Sequence, residues 1–394
     1  MQDLQNFYNV SLAQILFVGS IAVGERLTLG PIVALIVNKY GYKLSTVLGA
    51  IVCASAMIGC LLSQDFLSFK ILHGFVMGIG AALLYIPANT CTSFYFDKKQ
   101  ALAFGIVAAG ASIGFMVFPL AFRFVYQNFH KEGVFLFNFA ASISLIPLIL
   151  IFYPSAYEVK DRTEYFVKAM DTRRLSAISL AKSSSVDTGI KEQLTTLFEI
   201  KVMAYMLAVM FQGAAHTILS LLIPKISDEV LDVPKYMSSL LLTLLGAAGI
   251  PSRILVGWFA DKSWINPLLL FLLGTAGSGV CCIVYPLVPV YWLMALIVGI
   301  QAVIWALYCS TFVVCPLALV GLKKFNFVSG VAYGINGVGA IVAPPAIGYL
   351  YESLLGHSIF GVMCVTGTIY GAATIFILIS LLSHRSTSIS TNLF

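Results

Sequence analysis

The feature that most restricts this chain is a succession of apolar stretches, each long enough to cross a bilayer, parted by short polar connections. About 20 consecutive apolar residues in a helix match the ~30 Å hydrocarbon core of a membrane. Inside that core every backbone N–H and C=O needs an internal partner, which a helix supplies from its own chain. The sequence predicts eleven spans, at about 10–37, 44–64, 69–92, 101–127, 133–153, 197–223, 238–260, 265–286, 290–316, 325–351 and 357–383. Only 10 % of residues are charged and 59 % are hydrophobic, whereas soluble domains carry about 25 % charged residues. The expected fold class is therefore an all-α polytopic membrane protein with the lipid bilayer as its solvent. A soluble enzyme and a nucleic-acid-binding domain are both excluded.

One connection differs from the rest. Residues 154–196 are polar, carry both signs of charge and include Ser183-Ser184-Ser185. Such a segment cannot bury a core and is expected to be a flexible cytoplasmic loop. It divides the chain into an N-terminal half of five spans, 1–153, and a C-terminal half of six spans with a short tail, 197–394. Alternate connections hold Lys39 and Lys43, Lys98 and Lys99, the basic residues of 154–196, Lys262, Lys323 and Lys324, and Arg385. Basic residues collect on the cytoplasmic side, so the C-terminus is expected inside and the N-terminus outside. No basic n-region of a signal peptide precedes the first span. The eight cysteines all fall within spans, which gives no disulfide framework.

The stretch Leu240–Lys262, LLLTLLGAAGIPSRILVGWFADK, carries the sharpest functional signal. Arg253 stays charged at any biological pH, and a charge at membrane depth is costly unless it faces protein or a wet cavity. Gly246, Gly249, Arg253 and Gly257 share one helix face, and small residues let membrane helices pack closely. With Asp261 closing the span, Arg253 lies ~12 Å inside that end, near the midplane. A buried cation there points to an anion site; a structural pairing with a carboxylate or helix carbonyls is the alternative.

Glu25 and Arg26 interrupt the first span, adjacent and so ~100° apart on their helix. Arg26 is a candidate for attracting an anion and Glu25 for carrying a proton, against a structural role for both. His216, mid-span beside Gln212 and Gly213, is a candidate for the same pathway. Arg123 reads as interfacial, and His73, His216 and His357 lack metal-ligand spacing. No phosphate loop, catalytic triad, metal site or cofactor motif is present. Gly110 with Gly114, and Gly330 with Gly334, are spaced by four and are expected to allow helices to approach and slide.

Several runs resemble the monocarboxylate transporter family of the major facilitator superfamily. They are Gly30-Pro31 through IVNKYGYK, and YFDKKQALAFGIVAAGASIG (95–114) with Gly105, Gly110 and Gly114. The stretch around Arg253 and LVGLKKFNFVSGVAYGINGVGAIVAPPAIGYL (319–350) resemble the family's eighth helix and its tenth-to-eleventh helix region. The resemblance implies a major facilitator bundle of two halves at the plasma membrane, working by alternating access and not an enzyme. It implies a small organic anion as substrate, often moved by symport with protons, and a single-span glycoprotein chaperone as partner. Arg253 matches the arginine that holds the substrate carboxylate, and Trp305 stands where the family often has a phenylalanine lining the path. Two features depart from the family. Its first helix has no counterpart here, and Gly249 replaces an aspartate beside the arginine in proton-linked members. The alternatives that follow are a facilitator of aromatic amino acids or hormones, and a non-transporting shorter form that binds or regulates a partner.

Overall fold

The computed structural model describes residues 7–63, 65–94, 96, 99–151, 195–231, 233–262, 265–312, 314–356 and 358–391. The expected loop at 154–196 falls almost wholly outside the described residues, as do His357 and Lys98. The described residues are helical, with no strand among them.

Helix α1 (Leu12–Thr28) starts at a capping box. The Ser11 hydroxyl accepts from the Gln14 backbone N–H at 3.3 Å, and the Gln14 side chain accepts from the Ser11 N–H at 3.1 Å. The first span is not one continuous helix, as expected, but two. It breaks at Leu29, and α2 (Gly30–Tyr40) restarts with Pro31 in its first turn. Proline has no N–H to give to the preceding turn, so the break falls there. Gly41, at φ 83°, takes the left-handed turn into α3 (Tyr42–Leu62).

The next span is α4 (Phe66–Phe69), a π-helical stretch (Lys70–Val76) and α5 (Met77–Thr90) in succession. Asp65 caps α4 by accepting from the Ser68 N–H at 2.9 Å, which holds its carboxyl below the ordinary range. Helix α6 (Gln100–Ile151) doubles back at His130, whose φ of 53° is not helical. Phe118 and Phe122 from its first arm meet Phe137 from its second, with ring centroids 6.0 and 5.7 Å apart.

The remaining elements are α7 (Ile200–Leu231), α8 (Lys235–Ala260), α9 (Pro267–Val284), α10 (Tyr291–Thr311), the short α11 (Val314–Val320), α12 (Leu322–Ser353) and α13 (Ile359–Thr391). Among the described residues nine helical segments are long and apolar enough to cross a membrane. One of them, Ala101–Leu150, contains both arms of α6. The first expected span is the broken α1–α2 pair, and neither of its two helices is among these nine segments.

The most extensive packing between the elements before residue 152 and those after residue 194 is made by two helix pairs, α1 with α12 and α6 with α8. Glycine makes both approaches close. A Cβ at Gly105 would lie 2.6 Å from the Arg253 carbonyl oxygen, and one at Gly257 would lie 2.6 Å from that of Ala101. Gly24 and Gly337 interlock in the same way between α1 and α12, where the Ser20 hydroxyl also donates to the Ile341 carbonyl at 3.1 Å. The expected close-approach faces at Gly110–Gly114 and Gly330–Gly334 are not used so. No neighbouring helix comes within 4 Å of a Cβ built at any of the four. Spacing by four identifies a glycine face, but a partner backbone must also reach it, and for these residues none does.

Candidate functional site

A cavity of about 480 Å³ lies where α1, α5, α6, α7, α8, α10 and α12 converge. It collects residues that are far apart in sequence: Arg26, Tyr85, His216, Arg253, Trp305 and Asn336 all line it. Among the described residues, no carboxylate lines it.

Arg253 is 3 % exposed, and its guanidinium is held from two sides. Nη1 donates to the Ala108 carbonyl of α6. The guanidinium carbon sits 4.5 Å from the Trp305 ring centroid, a cation–π contact. The glycine at 105 explains the first contact. It lets α6 lie directly on the Arg253 backbone, which brings Ala108 within reach of the side chain. A Cβ at 249 would lie 2.6 Å from the Ser112 hydroxyl of α6, so a side chain there would require that hydroxyl to turn away. Arg253 forms no ion pair with a described residue.

Trp305 is braced by two rings. Phe115 of α6 meets it edge-on at 5.5 Å, and His216 of α7 lies 4.3 Å away at 36°. The His216 Nε2 is 3.3 Å from the Ser220 hydroxyl. The indole N–H of Trp305 is buried without a hydrogen-bond partner among the described residues. The rings thus form an apolar wall beside a cation, an arrangement suited to a carboxylate with a short carbon body.

Arg26 enters from α1, its guanidinium carbon 4.5 Å above the Tyr85 ring. Glu25 turns away from the cavity. Its Oε2 lies 2.5 Å from where a Cβ on Gly78 of α5 would stand, and it has no hydrogen-bond partner among the described residues. The adjacent pair therefore separates, with Arg26 in the cavity and Glu25 against a neighbouring helix. Arg123 does not line the cavity. His73 lies in the π-helical stretch, stacked on Phe69 at 5.1 Å. Gly30 packs near Ile86, with 3.3 Å to a built Cβ.

Asn336 belongs to the site and was not singled out from the sequence. Its amide donates to the Val209 carbonyl at 2.7 Å and to the Tyr308 hydroxyl at 3.1 Å, tying α12 to α7 and α10. An uncharged polar residue within an apolar run that is 4 % exposed was the signal available. Tyr85 and Tyr308 gave none, since tyrosine is common in such spans.

Among the described residues no cluster of three His, Cys, Asp or Glu could hold a metal ion. Membrane-crossing helices gathered around a cavity to which both ends of the chain contribute define a polytopic transporter. The chain belongs to the major facilitator superfamily, whose family model matches residues 1–321. It is 24 % identical over 362 residues to Monocarboxylate transporter 2 of Rattus norvegicus, covering 89 % of this chain and 72 % of that protein. It is 21 % identical over 402 residues to Monocarboxylate transporter 9 of Mus musculus, covering 85 % and 79 %. With Monocarboxylate transporter 12-B of Danio rerio it shares 25 % identity over 347 residues, covering 82 % and 70 %.

Proposed function

We propose that this chain carries small carboxylates across a membrane by alternating access, with Arg253 as the group that receives the anion. One observation carries the reading: a buried guanidinium faces a cavity that no carboxylate of the described residues lines. A charge so placed is costly while unpaired, and an incoming carboxylate offsets that cost by charge-assisted hydrogen bonds. Trp305 holds the guanidinium from one side and packs the carbon body of the substrate. Binding then drives transport only where the two orientations of the cavity differ in affinity, or where an occluded intermediate gains from the pairing.

His216 borders the same space, and Glu25 stands one residue from Arg26 on the far side of α1. Both are candidates for proton coupling, which would show as carboxylate uptake driven by an inward proton gradient. The proposed location is the plasma membrane, with the C-terminus cytoplasmic in line with the distribution of basic connections.

The test is uptake of a labelled carboxylate panel into cells expressing the chain, compared with Arg253→Ala at equal surface level. The reading requires uptake above background in the wild type and its loss in the variant. A surface-exposed wild type that moves none of the panel would refute it and favour the non-transporting, partner-binding alternative.

A further inference from the structure

Among the described residues two arginines line the cavity, and a monocarboxylate neutralises only one. Arg26 reaches it from α1 and Arg253 from α8. Both line the same cavity as Tyr85, His216 and Cys309, which places the two charges around one shared space. Neither arginine has an ion-pair partner among the described residues. Arg253 at least donates to a helix carbonyl. Arg26 has less: its guanidinium rests on the Tyr85 ring, and its Nε is buried without a hydrogen-bond partner among the described residues. The acid nearest in sequence, Glu25, faces Gly78 on α5 and does not line the cavity.

A structural arginine inside a membrane is expected to be satisfied by a carboxylate or by several carbonyls. Arg26 has neither. Two like charges in one low-dielectric cavity also repel each other, so the arrangement disfavours the empty state. A ligand with one negative charge relieves half of that cost. A ligand with a negative group at each end relieves all of it and bridges the two arginines.

We infer that the preferred substrate class is a dicarboxylate, with one carboxylate on Arg253 and the other on Arg26. This rests on the reading of Arg253 as the carboxylate anchor and adds a second anchor to it. An aromatic ring lies 4.5 Å from each guanidinium carbon, Tyr85 at Arg26 and Trp305 at Arg253, and stacking of this kind restrains a planar guanidinium.

The experiment uses the full chain reconstituted in liposomes, with pairs of probes matched in carbon number: butyrate with succinate, and pentanoate with glutarate. Wild type, Arg26→Gln, Arg26→Lys and Arg253→Gln are compared at equal reconstituted amounts, with thermal unfolding in detergent as the folding check. The wild type is expected to favour the dicarboxylate of at least one pair by about ten-fold or more, since a lost partner of a buried charge pair costs at least that. Arg26→Gln should erase the preference by lowering dicarboxylate uptake alone, and Arg26→Lys should keep part of it. Arg253→Gln should lower both members of each pair.

An unchanged preference in a folded Arg26→Gln overturns the second anchor while leaving the first intact. A wild type that favours the monocarboxylates does the same. Unchanged uptake of both classes in Arg253→Gln overturns the anchor at Arg253, and the dicarboxylate inference with it.

Discussion

Glu352 accepts a hydrogen bond from the backbone N–H of Leu12 at 2.8 Å, so the last turn of α12 caps the first turn of α1. An equivalent arrangement closes the other glycine-packed pair. Asp261, at the end of α8, accepts from the N–H groups of Ala101 and Leu102 at 3.0 Å each, at the start of α6. In both cases a carboxylate meets unpaired N–H groups and the positive end of a helix dipole. Each joins an element before residue 152 to one after residue 194, and each must part if those elements separate at that end.

These contacts make opening measurable. Removing one such carboxylate costs about 1 kcal/mol, or roughly a five-fold shift in a two-state equilibrium. Cys309 lines the cavity and supplies a native reporter. In a background with Cys91→Ala and Cys364→Ala, Glu352→Ala should raise labelling of Cys309 by an impermeant thiol reagent added on the Leu12 side. Asp261→Ala should instead raise labelling from the Ala101 side. Equal labelling in all three proteins would show that neither contact holds an end closed.

The glycines separate packing from spacing. Gly105→Ala places a methyl group 2.6 Å from a backbone oxygen that has little freedom to move. The strain expected is about 1–3 kcal/mol, read as a lower detergent melting temperature together with weaker uptake as Arg253 shifts. Gly110→Ala and Gly330→Ala meet nothing within 4 Å and should melt within error of the wild type. A reversal of that order would contradict the helix packing described.

Trp305 acts on Arg253 through its ring face. Trp305→Phe keeps an aromatic face beside the guanidinium, whereas Trp305→Ala loses a contact worth about 0.5–2 kcal/mol. Half-saturation for carboxylate uptake should therefore rise several-fold in the alanine variant and much less in the phenylalanine variant. Equal effects of the two changes would mean that the ring serves only to fill space.

Asn336 should matter for stability first. Asn336→Leu leaves the Val209 carbonyl and the Tyr308 hydroxyl without this donor, at about 1–3 kcal/mol for groups buried in this way. Fluorescence-detected melting should report that loss. Wild-type melting would show that the amide does not tie the three helices together.

The spans were legible because hydrophobic length alone decides what can cross a bilayer, and Arg253 was legible because charge at that depth is rare. Composition could not show where a helix breaks within a span. The reversal at His130 falls in the connection expected between the spans at 101–127 and 133–153, whereas the break at Leu29, ahead of Gly30-Pro31, falls inside a span read as continuous. Nor could spacing alone distinguish Gly105, which carries a packed backbone, from Gly110, which stands free five residues on. Asn336 and Tyr85 enter the site only through the meeting of helices distant in sequence. The separation of Arg26 from Glu25 followed from helix geometry; the side on which the cavity lies did not.

The central claim is that Arg253 is the carboxylate receptor. Titration of the purified chain with carboxylates of the panel, followed calorimetrically, tests it without the complications of cellular uptake. Wild-type protein should bind, and a folded Arg253→Gln should bind at least ~30-fold more weakly, as expected for a buried charge pair that loses one partner. Equal affinity in the two proteins would contradict the account.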